Sequence, residues 1–110
     1  MAEQPDNALS AEVALEPIVH GVERGEPRMG AIEWSRVGGA EVGLWEITPG
    51  AVTDTEVDEL FVVLRGHATV ELLDGGDPLV LTAGSVGRFE AGTRTRWTVT
   101  ETLRKVYVIA

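Results

Sequence analysis

From residue 31 onward, short apolar runs alternate with turn signals, and the runs are too short and too rich in Val and Thr to suit helices. The candidate strands are 31–36 (AIEWSR), 41–48 (EVGLWEIT), 59–64 (ELFVVL), 67–73 (HATVELL), 78–82 (PLVLT), 86–90 (VGRFE), 94–100 (RTRWTVT) and 104–109 (RKVYVI). Gly38-Gly39, Pro49-Gly50, Arg65-Gly66, Asp74-Gly75-Gly76-Asp77, Ala83-Gly84 and Ala91-Gly92 supply turn chemistry between them. No helical period survives for ten residues past position 31. Eight short strands at this spacing predict an all-β protein, a small barrel or sandwich, with two facing, mainly antiparallel sheets around a cavity.

Two runs carry more detail. In 94–100, Arg94, Arg96 and Thr98 fall on one face, and Thr95, Trp97 and Val99 on the other. Residues 60–64 are apolar throughout, which predicts cover on both faces, by the N-terminal segment or by a second subunit. The first 26 residues are punctuated by Pro5, Pro17, Gly21 and Gly25, with Pro27 just beyond. That excludes a long helix there, while Ile18, Val19 and Val22 could form a short strand. The expected organisation is an N-terminal extension or edge segment, 1–26, followed by a single barrel domain, 27–110.

Charge narrows the partners. Nine basic and 18 acidic residues give a net charge of −9, which disfavours nucleic acid. The imbalance is local: −5 over residues 1–26, −7 over 27–87 and +3 over 88–110. The basic C-terminal strands are therefore expected to pair with acidic ones from earlier in the chain. No apolar run reaches the length of a membrane span, and the N-terminus lacks a signal peptide's apolar stretch. Without cysteine there is no disulfide and no thiol chemistry, which fits a reducing compartment. A cytoplasmic protein is the expectation.

Pro49-Gly50 and then Glu59-Leu60-Phe61-Val62-Val63-Leu64-Arg65-Gly66 resemble the first motif of the cupins. Gly84-Ser85-Val86-Gly87-Arg88-Phe89-Glu90-Ala91-Gly92 resembles the second, with Glu90 where a proline is usual. Trp97 and the closing run Glu101 to Tyr107 are similar to the small single-domain cupins named after the ureidoglycine aminohydrolase cupin domain, a group that also resembles a protein of ethanolamine utilisation. The resemblance spans about residues 41–110. It implies a small double-stranded β-barrel, a jelly roll, with a central cavity; the need to cover the outer face of 59–64 adds the expectation of a homodimer.

In metal-bearing cupins two histidines and the glutamate of the first motif join a histidine of the second. The resemblance places the histidine positions on Thr53, Thr55 and Thr95 and the glutamate on Glu59. Only Glu59 could ligate readily, so no tightly held transition metal is expected and no cofactor is implied; a weakly held divalent ion is the alternative. Asp54, Glu56, Asp58 and Glu59 form an acidic run, which reads as a solvated face because no calcium loop surrounds it. His67 follows a turn glycine and His20 lies in the leader, so both are expected to be exposed. Gly75-Gly76 reads as a hairpin turn and not a phosphate loop, since no helix follows. The aromatics read first as core.

The functional expectation is a metal-independent domain binding a small polar molecule in the cavity. Its rivals are an enzyme of lyase, isomerase or aminohydrolase type using Glu59 as base, and a dimeric scaffold with a vestigial cavity. If Glu59 points inward, period two sends Phe61 and Val63 inward as well. Glu59 would then face Thr95 and Trp97, with Trp45 and Tyr107 as walls and Thr53 and Thr55 nearby. With no lysine beside it, such a carboxylate would be partly desolvated and its pKa raised.

Overall fold

The computed structural model describes residues 2–110. Nine strands form one curled sheet with antiparallel pairing throughout. They are β1 (Glu16–Pro17), β2 (Val22–Arg24), β3 (Arg28–Val37), β4 (Ala40–Ile47), β5 (Gly50–Thr55), β6 (Glu59–Leu72), β7 (Leu79–Leu81), β8 (Val86–Phe89) and β9 (Arg94–Ile109).

Instead of two facing sheets, two long strands run through both walls. The expected strands 59–64 and 67–73 are one strand, β6, and 94–100 and 104–109 are one strand, β9. Their ladder extends from Glu59 opposite Ile109 to Leu72 opposite Thr95. It slips register between Val63 and Ala68, and those bulges turn the ribbon from one wall into the other. Gly66 sits in the bend at φ 98°, where a side chain would run into the Thr102 backbone. The turn signal Arg65-Gly66 is thus a bend within a strand and not a break. β9 is flanked by β6 on one side and by β4 and then β5 on the other, so it joins the two walls of the curled sheet.

β5 is not among the expected strands, and Asp54 of the acidic run lies on it. Its Gly50 to Thr55 pair with Val99 to Arg94, because backbone pairing with the edge of β9 outweighs weak strand propensity. The leader also contributes short strands to the sheet. β1 pairs with β3 and β2 pairs with β5, as edge strands. Residues 8–15 run along the outer face: Arg104 Nη1 donates to the Ala8 carbonyl at 3.1 Å and Arg28 Nη2 to the Leu15 carbonyl at 2.8 Å.

The core occupies one half of the barrel. Phe61, Val63, Val70, Leu81, Phe89, Val99 and Leu103 are buried together. Phe61 and Phe89 have ring centroids 5.2 Å apart, and Phe89 and Trp97 6.2 Å. The expected cover on both faces of 60–64 does not hold within one chain. Leu60 is 46% exposed and Val62 36%, and Val86 beside them is 67% exposed. The alternation of 94–100 is as expected, with Thr95, Trp97 and Val99 buried.

Candidate functional site

The remaining half of the barrel holds a cavity of about 630 Å³ that opens to solvent. β4 contributes Glu41 and Trp45, β5 contributes Thr53, Asp54 and Thr55, and the β5–β6 connection contributes Glu56. β6 adds Glu59, and β9 adds Trp97, Lys105 and Tyr107. The segment from Pro17 to His20 forms the remaining wall.

Alternation along β9 explains the inward set. Leu103, Lys105 and Tyr107 share one face, continuing the face of Thr95, Trp97 and Val99 beyond the bend. The Lys105 ammonium is 4% exposed as a residue and lies 2.6 Å from Glu59 Oε2. Glu59 Oε2 has no aligned hydrogen bond, so its contact with Lys105 is an ion pair. Beneath the ammonium lie the rings of Trp45 at 4.5 Å, Phe61 at 4.7 Å and Trp97 at 5.1 Å. Three aromatic faces and one carboxylate compensate the charge where water is largely excluded.

A second buried carboxyl belongs to Glu56. Its Oε2 accepts from the Thr95 hydroxyl at 2.7 Å and from the Trp97 indole N–H at 3.0 Å. Burial pushes the Glu56 pKa up; those two hydrogen bonds oppose the shift, Asp54 adds to it and Lys105 opposes it. On β9, Tyr107 donates to Glu41 Oε2 at 2.6 Å. Burial first, then this hydrogen bond, raises the phenol's pKa, so Tyr107 serves as a neutral donor. Gly43 makes room for it, since a β-carbon there would lie 2.6 Å from the Tyr107 hydroxyl.

The site therefore differs from the expected one in its central group. Thr95 and Trp97 face Glu56, not Glu59, and Glu59 has the lysine whose absence was assumed. Trp45, Thr53, Thr55, Glu59, Trp97 and Tyr107 line the cavity. Phe61 and Thr95 do not: Phe61 lies under the ammonium, and Thr95 is fully buried behind Glu56. Sequence reasoning missed Glu56 and Lys105. A signal existed for Lys105, the one lysine among nine basic residues, placed in register with Tyr107 on an alternating strand.

A divalent metal does not suit these donors. The only carboxylate at a cupin ligand position, Glu59, is already paired with an ammonium ion. The Thr95 hydroxyl is engaged with Glu56, and among the described residues no three His, Asp or Glu side chains converge.

The EutQ-like cupin domain model matches residues 35–107, two thirds of the sequence. The chain belongs to the EutQ-like cupin domain family. Solved structures place it in the same fold. The EutQ protein of Clostridium difficile is 16% identical with a TM-score of 0.64, over 76% of this chain and 68% of that one. A DUF861-family protein of unknown function from Pseudomonas syringae gives a TM-score of 0.78 at 20% identity, over 92% of this chain and 45% of that one. A DUF861-family protein from Thermotoga maritima is 29% identical with a TM-score of 0.57, over 61% of this chain and 76% of that one. Comparison with curated proteins gives no match. No helix among the described residues is long and apolar enough to cross a membrane.

Proposed function

We propose that this cupin binds a small polar molecule in its barrel cavity without a metal ion. The observation that carries this reading is the Lys105–Glu59 pair, a buried cation placed on the wall of a cavity of about 630 Å³. A volume of this size suits a metabolite-sized ligand. Trp45, Trp97 and Tyr107 supply contact area, Glu56 and Glu59 with Lys105 supply polarity, and Thr53 and Thr55 stand at the wall. A thermal-shift screen of chelator-treated protein, purified without a nickel column, tests it. A ligand that raises Tm in metal-free protein supports the proposal, because ligands that bind only the folded state must stabilise it. A response that appears only after a divalent ion is restored refutes the metal-independent part.

An enzyme of lyase, isomerase or aminohydrolase type is the second reading. Glu56 favours it: a carboxyl with raised pKa beside a cation on a cavity wall is suited to proton transfer. Glu59, the base expected from the sequence, is less suited because its oxygen is engaged by Lys105. The reading requires turnover that is lost in Glu56→Gln.

We also propose a two-fold homodimer formed through the face bearing Leu60, Val62 and Val86, which one chain leaves exposed. Sedimentation equilibrium at micromolar concentration should give twice the 11.8 kDa chain mass, and the monomer mass alone overturns this. Residence in the cytoplasm accords with the absence of cysteine.

A further inference from the structure

The polar groups of the cavity are sorted by depth and by hydrogen-bonding sense. At the buried end stand Lys105, Glu59 and Glu56, each less than a tenth exposed. Toward solvent stand the half-buried Glu41 and the exposed Asp54. An ammonium has three N–H donors, and among the described residues Glu59 is the carboxylate that Lys105 contacts. The rings beneath compensate its charge but accept no directed hydrogen bond in the plane of the cavity wall. Glu56 Oε2 is occupied by Thr95 and Trp97, so a proton carried by this carboxyl belongs on Oε1, which takes no bond among the described residues. The buried end therefore has N–H donors to spare, and the outer part has carboxylate acceptors: Asp54, and a Glu41 whose oxygens also take the Tyr107 hydroxyl and Arg36.

We infer that the buried end, built from Lys105 and Glu56, is a donor site for the carbonyl oxygen of a small uncharged hydroxycarbonyl compound, whose hydroxyl turns toward Glu41 and Asp54. This rests on the binding reading above and names its ligand class. Charged ligands fit less well. A cation would meet the Lys105 ammonium, which already covers the aromatic faces that could hold it. An anion would add a negative charge to a cavity where Glu59 already neutralises Lys105 and the Asp54 and Glu41 carboxylates stand toward solvent. A neutral ligand with an acceptor at one end and a donor at the other matches both ends.

The donor role of Glu56 requires its proton, so binding must depend on pH. The groups that set this titration are Asp54 on its own side of the barrel, Lys105 and Tyr107 of β9, Glu59 of β6, Glu41 of β4 and His20 of the N-terminal segment. Because burial raises the Glu56 pKa, the binding form persists to higher pH than it would for an exposed glutamic acid. Affinity should hold at low pH and fall as pH rises through the Glu56 pKa.

Hydroxyacetone, acetate and ethylammonium serve as neutral, anionic and cationic probes. Each is titrated into the full chain while the Trp97 indole N–H resonance is followed; that resonance is identified by its loss in Trp97→Phe. Hydroxyacetone should bind about tenfold more tightly than either charged probe at low pH and weaken as pH rises through the Glu56 pKa. Glu56→Gln, which keeps an N–H donor, should bind hydroxyacetone with no such fall, and Glu56→Ala should bind it more weakly at every pH. Tighter binding of acetate or of ethylammonium overturns the ligand class while leaving a small-molecule site in place. No response to any of the three overturns the class, while the binding reading stands or falls by the thermal-shift screen. An unchanged pH profile in Glu56→Gln removes Glu56 from the donor site.

Discussion

Arg104 and Lys105 are consecutive, both cationic, both buried and both paired with a glutamate, yet alternation along β9 sends them to opposite faces of the sheet. Arg104 points outward, beneath the N-terminal segment. Its Nε meets Glu46 Oε1 at 2.8 Å and its Nη1 meets the Ala8 carbonyl, while Arg65 reaches the same Glu46 oxygen at 3.1 Å. The guanidinium fork is engaged in several directions at once and ties the leader to the barrel. Lys105 points inward and has one carboxylate, three ring faces and a cavity. The outer pair is closed by protein, whereas the inner pair is open to a ligand. Burial alone does not distinguish the two, but the number of partners does.

The largest effect is expected at the outer pair. Arg104→Met leaves Glu46 buried with only the half-exposed Arg65, and should cost about 3 kcal/mol of stability, read from the denaturant midpoint. Adding Glu46→Gln should not restore it, since the Ala8 contact and the Arg65 pair are lost as well. Restoration would show that the outer network does nothing beyond compensating one charge.

The inner pair should behave in the opposite way. Lys105→Met alone strands the Glu59 carboxylate and should cost about 2–3 kcal/mol. Lys105→Met with Glu59→Gln removes both charges and should return to within about 1 kcal/mol of the parent. A double variant as unstable as the single one would make the inner pair structural, like the outer.

Glu56→Gln is expected to alter the dependence of stability on pH more than stability itself. The raised pKa means that the folded chain binds this proton more tightly than the unfolded one. The contribution is complete below the ordinary carboxyl pKa and is lost as pH rises through the folded pKa. Denaturation across that window should show the variant gaining relative to the parent as pH rises, and parallel profiles would contradict the assignment. The smallest effect belongs to Arg94→Ala. Its pair with Asp74 is solvent-exposed, and no resolvable change in midpoint is expected.

Much of the barrel was legible in the sequence because turn chemistry and strand composition are local properties. The sign reversal of charge along the chain was informative too: Arg94, Arg96, Arg104 and Lys105 pair with Asp74, with Glu23 and Glu71, with Glu46 and with Glu59 respectively. The length of β6 and β9 was hidden because a glycine at a bulge looks the same as one that ends a strand. β5 was hidden because its pairing with β9 joins residues more than 35 positions apart. Placing the carboxylate opposite Thr95 and Trp97 failed for a related reason. A family position fixes where Glu59 starts, but only the path of β5 brings Glu56 to Trp97 and only the register of β9 brings Lys105 to Glu59.

The most direct test of the contrast is a ligand-induced thermal shift on chelator-treated protein, comparing the parent with the Lys105→Met, Glu59→Gln double variant. The two should melt within a few degrees of one another when unliganded. Hydroxyacetone should raise the parent's Tm and leave the double variant's unchanged. An equal rise in both would contradict a binding role for the inner pair, because the cavity would then recognise its ligand without the cation and carboxylate on its wall.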